Sequence, residues 1–240
     1  MSYYDQTDYT IRFEWGEQGV EELAPLSDIV VIVDVLSFST CVDVAVSRGA
    51  TVFPFGWKDE RADAYAAKHD AILAKRRGED GISLSPPSLA SLPENARVVL
   101  PSPNGSTLTL IAAGHAETYA GCLRNRTALS DRINERGGSV TVIACGERWH
   151  PDDRLRPALE DQMGAGAIIQ RLNGSRSPEA ASAEAVFANS EAALAETLNA
   201  CASGRELIEK GYPDDVRFAS DLDASTAVPC LQNEAYLDIS

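Results

Sequence analysis

Three features of the sequence predict an α/β fold, with a mainly parallel sheet sandwiched between helices and a helical C-terminal segment. Short runs rich in β-branched residues recur as far as Ala144, and the run from Asp28 to Asp34 (DIVVIVD) is wholly apolar between its acids, as a strand buried on both faces must be. Helix-length segments separate these runs, the alternation that builds parallel sheets. Several runs end on polar residues just before a helix, and in such sheets strand ends and helix N-termini form the ligand crevice.

Residues 10–16 (TIRFEWG) alternate apolar and polar side chains, like a half-exposed strand. The run 28–34 is the central strand, and Ser37, Ser39 and Thr40 are natural N-caps for a helix that stops at Gly49. Residues 50–55 (ATVFPF) predict a strand closed by Gly56, and Lys58 to Arg77 a polar, Ala-rich surface helix. Gly81 to Pro93, rich in Ser and Pro, predicts a loop. Val98 to Leu100 is a short strand leading through PSPNGS to a helix that ends at Ala113. Glu117 to Ala120 predicts a strand, followed by Leu123 to Arg126 and a helix to Glu135. Gly137-Gly138 turns into the strand 139–144, which leaves through Cys145-Gly146-Glu147-Arg148. A helix is expected from near Leu159 to Leu172. From Pro178 onward the pattern predicts helix throughout, with starts near Ser203 and Pro213 and acids in their first turns. No repeat or linker divides the chain, so residues 1–240 are expected to form one domain.

The chain carries 36 acidic and 21 basic residues, a net charge of −15, and no basic run beyond Lys75-Arg76-Arg77. Such a chain repels phosphate polymers and anionic membranes, so neither nucleic acid nor membrane is an expected partner. Cysteines 41, 122, 145, 201 and 230 are scattered, odd in number and without a C-x-x-C pair, which points to a reducing compartment. The first fifteen residues lack a secretory pattern and no apolar run approaches membrane-spanning length, so a cytoplasmic location is expected. The expected partner is a small anionic molecule, and nothing in the pattern opposes a homo-oligomer.

An acidic chain must meet an anion with local cations, helix N-termini or a metal. Four strand exits offer such groups: Asp34 with Ser37, Ser39 and Thr40; Asn104-Gly105-Ser106; Arg124-Asn125-Arg126; and Cys145 to Arg148. If the strands are parallel neighbours, the four share one rim. Asp34 is either a capping aspartate or a metal ligand or nucleophile. Asn104 before Gly105 either makes a tight turn or lends its carbonyl to a metal, with Gly105 admitting a substrate close to the backbone. Arg124 and Arg126 flank a helix start, where the macrodipole disfavours cations, so anion binding competes there with a surface ion pair. Glu160 and Asp161 are ordinary first-turn acids; the small residues from Gly164 to Ala167 after them let the helix pack tightly and bring that turn to the rim. His150 is a lesser acid–base candidate in a loop near it.

Several phosphatase and nucleotide chemistries are excluded. None of Cys41, Cys122 and Cys145 has an arginine six positions on, and Asp34-Val35-Leu36 lacks the second aspartate of a D-x-D motif. No phosphate-binding P-loop, dinucleotide turn or nucleophile elbow occurs, and the three histidines with the cysteines give no zinc spacing.

Ile32 to Thr40 (IVDVLSFST), Asn104-Gly105-Ser106, Arg124-Asn125-Arg126 and Glu160 to Ala167 (EDQMGAGA) together resemble the 2-phosphosulfolactate phosphatase family. So do Ser203 to Ile208 (SGRELI), Gly211-Tyr212 and Asp214-Asp215-Val216, in register over roughly 28–230. The resemblance implies a three-layer αβα sandwich. It also implies a Mg²⁺-dependent acid phosphatase that releases 3-sulfolactate and phosphate in coenzyme M synthesis. It points to Asp34, Asn104, Glu160 and Asp161 as metal ligands, with Asp34, Glu160 and Asp161 also catalytic. Ser37, Ser39, Thr40, Asn104, Gly105, Arg124, Asn125 and Arg126 would then face the substrate anion. The chain departs from the pattern at Ser37, where arginine is usual, and at Leu84, where asparagine is common. A related substrate is therefore an expected variant. The alternatives are an inactive metabolite-binding or regulatory protein on the same fold, or an enzyme of other chemistry at the same rim.

Overall fold

A computed structural model describes residues 3–56 and 61–240. Along the chain, β1 (Ile11–Trp15) runs into α1 (Gly16–Leu23), β2 (Ile29–Val33) into α2 (Phe38–Val46), and β3 (Thr51–Phe55) is followed by α3 (Arg61–Lys68). Then come β4 (Ile72–Leu73), α4 (Pro86–Leu89), β5 (Arg97–Pro101), α5 (Gly105–Ala112), β6 (Glu117–Gly121), α6 (Arg126–Arg136) and β7 (Val140–Ala144). A ribbon of β8 (Glu147–Arg148) and β9 (Leu155–Arg156) precedes α7 (Leu159–Ile169), α8 (Pro178–Ser190), α9 (Leu194–Ala200), α10 (Ala202–Glu209) and α11 (Pro213–Ser220). The chain returns to the sheet as β10 (Pro229–Gln232) and β11 (Ala235–Asp238).

The sheet order is β1-β7-β2-β6-β10-β11-β3-β5-β4. Every residue of β2 is fully buried because both of its faces are covered. Val31 and Val33 join the core under α7, while Val30 and Ile32 pack with Val20 of α1 and Leu108 of α5. Helices therefore lie on both sides of the sheet, giving the three layers. Small residues set the depth of α7: a Cβ on Gly164 would stand 2.5 Å from Val35, and one on Gly166 2.0 Å from the carbonyl oxygen of Ala183 in α8.

The sheet is parallel in two blocks rather than one. Strands β1, β7, β2 and β6 run one way, and β3, β5 and β4 are parallel to each other. The hairpin β10–β11 is antiparallel to both neighbours and so reverses the sense of the second block. Each seam is a single register pair, Cys230 with Tyr119 and Tyr236 with Val52. The expectation of one common rim of parallel strands is corrected accordingly. The exits of β2 and β5 nevertheless meet, since Asp34 after β2 accepts the N–H of Gly105 after β5.

Two other expectations are corrected. The helix expected over 58–77 has its first residues, 58–60, outside the described part. Its described portion ends at Lys68, where Asp70 (φ 49°) turns the chain into β4. The chain after Pro178 is helical only to Ser220, and then supplies the central hairpin. That hairpin turns at Asn233 and Glu234, φ 47° and 72°, the two left-handed residues of a type I′ turn. Glu234 sits where glycine is preferred, so Glu234→Gly is expected to raise stability by about 1 kcal/mol in urea denaturation. An unchanged or lower midpoint would mean that the Glu234 side chain contributes more than its backbone strain costs.

Candidate active site

The exits of β2 and β5 meet at one carboxylate. Asp34 Oδ1 accepts from the Phe38 N–H at 3.0 Å, and Oδ2 from the Gly105 N–H at 3.1 Å. These are the first residues of α2 and α5, so the positive ends of two helices face one acid. Only glycine allows the approach, since a Cβ at 105 would stand 2.2 Å from the Phe38 ring. Asp34, rather than the expected hydroxyls, thus caps α2. The Ser39 hydroxyl is bonded to the Asp34 backbone on both sides and Thr40 Oγ1 donates to the Val35 carbonyl, so both shape the 34–40 turn.

Three more acids gather around Asp34. Asp161, in the first turn of α7, accepts from Val35 N–H at 2.7 Å and Gly146 N–H at 2.8 Å, tying together the exits of β2 and β7. Its neighbour Glu160 accepts from the Cys201 thiol at 3.4 Å. Glu147 stands on the β8–β9 ribbon opposite Arg156 and accepts from the Asn104 amide at 3.4 Å. Asn104 in turn accepts from Arg148 at 3.5 Å, so its amide orients Glu147.

Burial and mutual repulsion raise these acids. Burial pushes Asp34 above the usual carboxylate range against its two backbone hydrogen bonds, with Glu160 adding to the rise and Arg77 opposing it. Asp161 is driven well up by burial and then by the charges of Asp34 and Glu160. Glu147 rises from 4.5 to about 7, first through burial and then through Asp34 and Glu160, with Arg156 opposing.

Beside the acids lies a cleft of about 300 Å³ lined by Leu36, Arg77, Glu147, Ser203, Glu206 and Lys210, among others. Ser37, at the start of α2, accepts from Arg77 at 2.6 Å. The sequence reading assigned no role to Arg77, which lay inside an expected helix. Glu147 had a signal, its place at a strand exit, but was not taken as a site residue.

The structure does not bring the arginine exit to the acids. Arg124 donates to the buried Asp43 at 3.1 Å and to the Phe218 carbonyl, and Arg126 pairs with Asp223 at 2.9 Å and with Glu191. Asn125 is fully buried, accepting from Cys122 N–H and donating to the Ala120 carbonyl. Each of the three is satisfied inside the protein, which is the ion-pair alternative for the arginines. His150 is exposed in the turn of the β8–β9 ribbon.

Among the described residues, no three His, Cys, Asp or Glu side chains converge as a ready-made metal cage. The donor set is nonetheless all oxygen, and its members repel one another. That fits a hard cation such as Mg²⁺, which is commonly held by one or two carboxylates with waters and substrate phosphate completing the shell. No helix among the described residues is long and apolar enough to cross a membrane.

The chain is similar to known proteins over nearly its whole length. A chain described as a probable 2-phosphosulfolactate phosphatase from Gloeobacter violaceus is 28% identical over 219 residues, covering 87% of this chain and 91% of the relative. Proteins of the same description from Pseudothermotoga lettingae and Thermotoga maritima are each 25% identical, covering 87% and 90% of this chain and 92% and 96% of their own lengths. The profile of the 2-phosphosulpholactate phosphatase family matches residues 18–234, and the chain belongs to that family.

Proposed function

We propose that the chain is a Mg²⁺-dependent phosphatase of a small phosphorylated organic acid, converting 2-phosphosulfolactate or a related substrate to the hydroxy acid and phosphate. The observation that carries this reading is the set of carboxylates Asp34, Glu147, Glu160 and Asp161 beside a cleft, in a chain of a phosphatase family. Glu160 is the freest ligand for the metal, because both oxygens of Asp34 and of Asp161 already accept backbone N–H groups; Asp34 would join it through a remaining lone pair. Bound there, Mg²⁺ would neutralise charge on the phosphate oxygens.

The chain's own residues supply the rest. The α2 and α5 N-termini add positive potential beside Asp34. Glu147, half-protonated near neutral pH, gives its proton to the leaving ester oxygen as water adds to phosphorus and the P–O ester bond breaks. Asn104 holds Glu147 in place for that transfer, with Arg156 opposite it on the ribbon. One observation keeps the inactive, metabolite-binding reading alive: Asp34 and Asp161 have structural work on every oxygen, so both would persist without catalysis.

Phosphate release from 2-phosphosulfolactate, 2-phospholactate and similar esters, with Mg²⁺ or with EDTA, tests the reading. Release that requires Mg²⁺ is expected, whereas binding without release from any ester would favour the metabolite-binding protein. Glu147→Gln is expected to lower kcat by about 100-fold or more and to remove the fall in rate as pH rises through about 7. A near-normal kcat would take the proton transfer away from Glu147. Stability carries its own signature. Because the folded-state pKa of Glu147 is raised, the folded chain binds more protons than the unfolded one between pH 4.5 and about 7. The contribution of this group to stability therefore falls as pH rises through that window. Thermal midpoints are expected to drop over it and to recover with Mg²⁺; a midpoint at pH 7 indifferent to Mg²⁺ would speak against a metal among these acids.

A further inference from the structure

Arg77 is held at the cleft by a relay of side chains that no step of the proposed hydrolysis uses. Its Nε donates to Asp215 Oδ2 at 2.8 Å, its Nη2 to Ser37 Oγ at 2.6 Å, and its guanidinium lies 5.9 Å from the Tyr212 ring centre. Asp215 is buried in α11, and its second oxygen accepts from Ser85 Oγ at 2.5 Å. Four separate segments thus fix one guanidinium: the turn after β2, the loop carrying Arg77, the start of α4, and α11.

We propose that Arg77 binds the acid group of the substrate that does not react, and so selects phosphate esters of acids over those of simple alcohols; this rests on the phosphatase reading above. The argument is one of charge and rigidity. Among the described residues lining the cleft, Glu147 and Glu206 repel an anion, and Arg77 and Lys210 are the cations. Lys210 is largely exposed and paired within its own helix turn to Glu206, a loose arrangement for recognition. The Arg77 side chain is 22% exposed while its counter-ion Asp215 is 3% exposed and shared with Ser85, so the charge open to the cleft is the positive one. A planar guanidinium held in place loses little freedom on binding and matches the paired oxygens of a carboxylate or sulfonate. An ion pair that merely stapled α11 to the body would have no need to line the cleft.

The test compares 2-phospholactate with isopropyl phosphate, the same ester with a methyl group in place of its carboxylate, in Mg²⁺ with the wild type, Arg77→Gln, Arg77→Lys and Ser85→Ala. Arg77→Gln is expected to raise KM for 2-phospholactate roughly ten-fold or more, the worth of a charge-assisted hydrogen bond. Its kcat/KM for isopropyl phosphate should fall much less, by no more than the loss of the Arg77 charge near Asp34 accounts for. Arg77→Lys should recover part of the loss, and Ser85→Ala should show the same selective effect more weakly. Ser85→Ala keeps the test alive if Arg77→Gln fails to fold, which thermal melting would reveal. Equal loss on both esters, or no loss on either, overturns the assignment of Arg77 while leaving the phosphatase reading intact. A wild type that hydrolyses neither these esters nor 2-phosphosulfolactate overturns the reading itself, and this assignment with it.

Discussion

One carboxylate between two helix N-termini holds the architecture of the site. Asp34 leaves the most deeply buried strand and accepts the first N–H of both α2 and α5. Those helices follow strands of opposite sense, so the acid joins two halves of a sheet whose strands are linked only through the hairpin. Buried backbone donors at helix starts need acceptors, and a carboxylate is the strongest available. The same hydrogen bonds keep a charge in the interior that burial and Glu160 would drive out. Fold and reactivity therefore rest on the same two contacts.

The other acids are placed by comparable devices. Asp161 bridges the exits of β2 and β7, and Gly164 lets α7 come close enough for that bridge to form. Glu147 rides on a two-residue ribbon outside the main sheet, with Asn104 and Arg156 on either side. The result is a graded set: acids engaged by backbone at the bottom, and an acid with few bonds and a displaced pKa at the cleft. The latter combination suits proton transfer, because a group held loosely by its neighbours is free to change charge.

How far the sequence could be read follows from what each feature needs. The strands of the parallel blocks were legible because burial on both faces leaves continuous apolar runs such as Ile29 to Val33. Asp34, Glu160 and Asp161 were visible as acids at strand and helix ends, where position alone suggests a role. The hairpin was not, because its I′ turn is made by Asn-Glu without the usual glycine and its strands have four residues each. The backbone bonds of the Ser39 and Thr40 hydroxyls leave no trace in the sequence, because a hydroxyl after a strand serves its own backbone as readily as a ligand. The ion pairs of Arg124 and Arg126 are hidden for a related reason: their acidic partners, Asp43, Asp221, Asp223 and Glu191, lie far away in sequence. Arg77 was invisible because its significance comes from Asp215, 138 residues further on.

The hairpin at residues 229–238 also sets the order in which this protein can be completed during synthesis. Tyr236, its most buried side chain, touches the Thr109 hydroxyl of α5 and the Phe38 ring of α2, so it is wedged behind both helices that meet at Asp34. A nascent chain that has emerged only as far as α11 has all the acids of the site but lacks the strands that join β6 to β3. Two open strand edges are then exposed, and such edges template association with other chains. A ribosome stalled before residue 229 therefore releases a chain rich in native parts yet poised to aggregate.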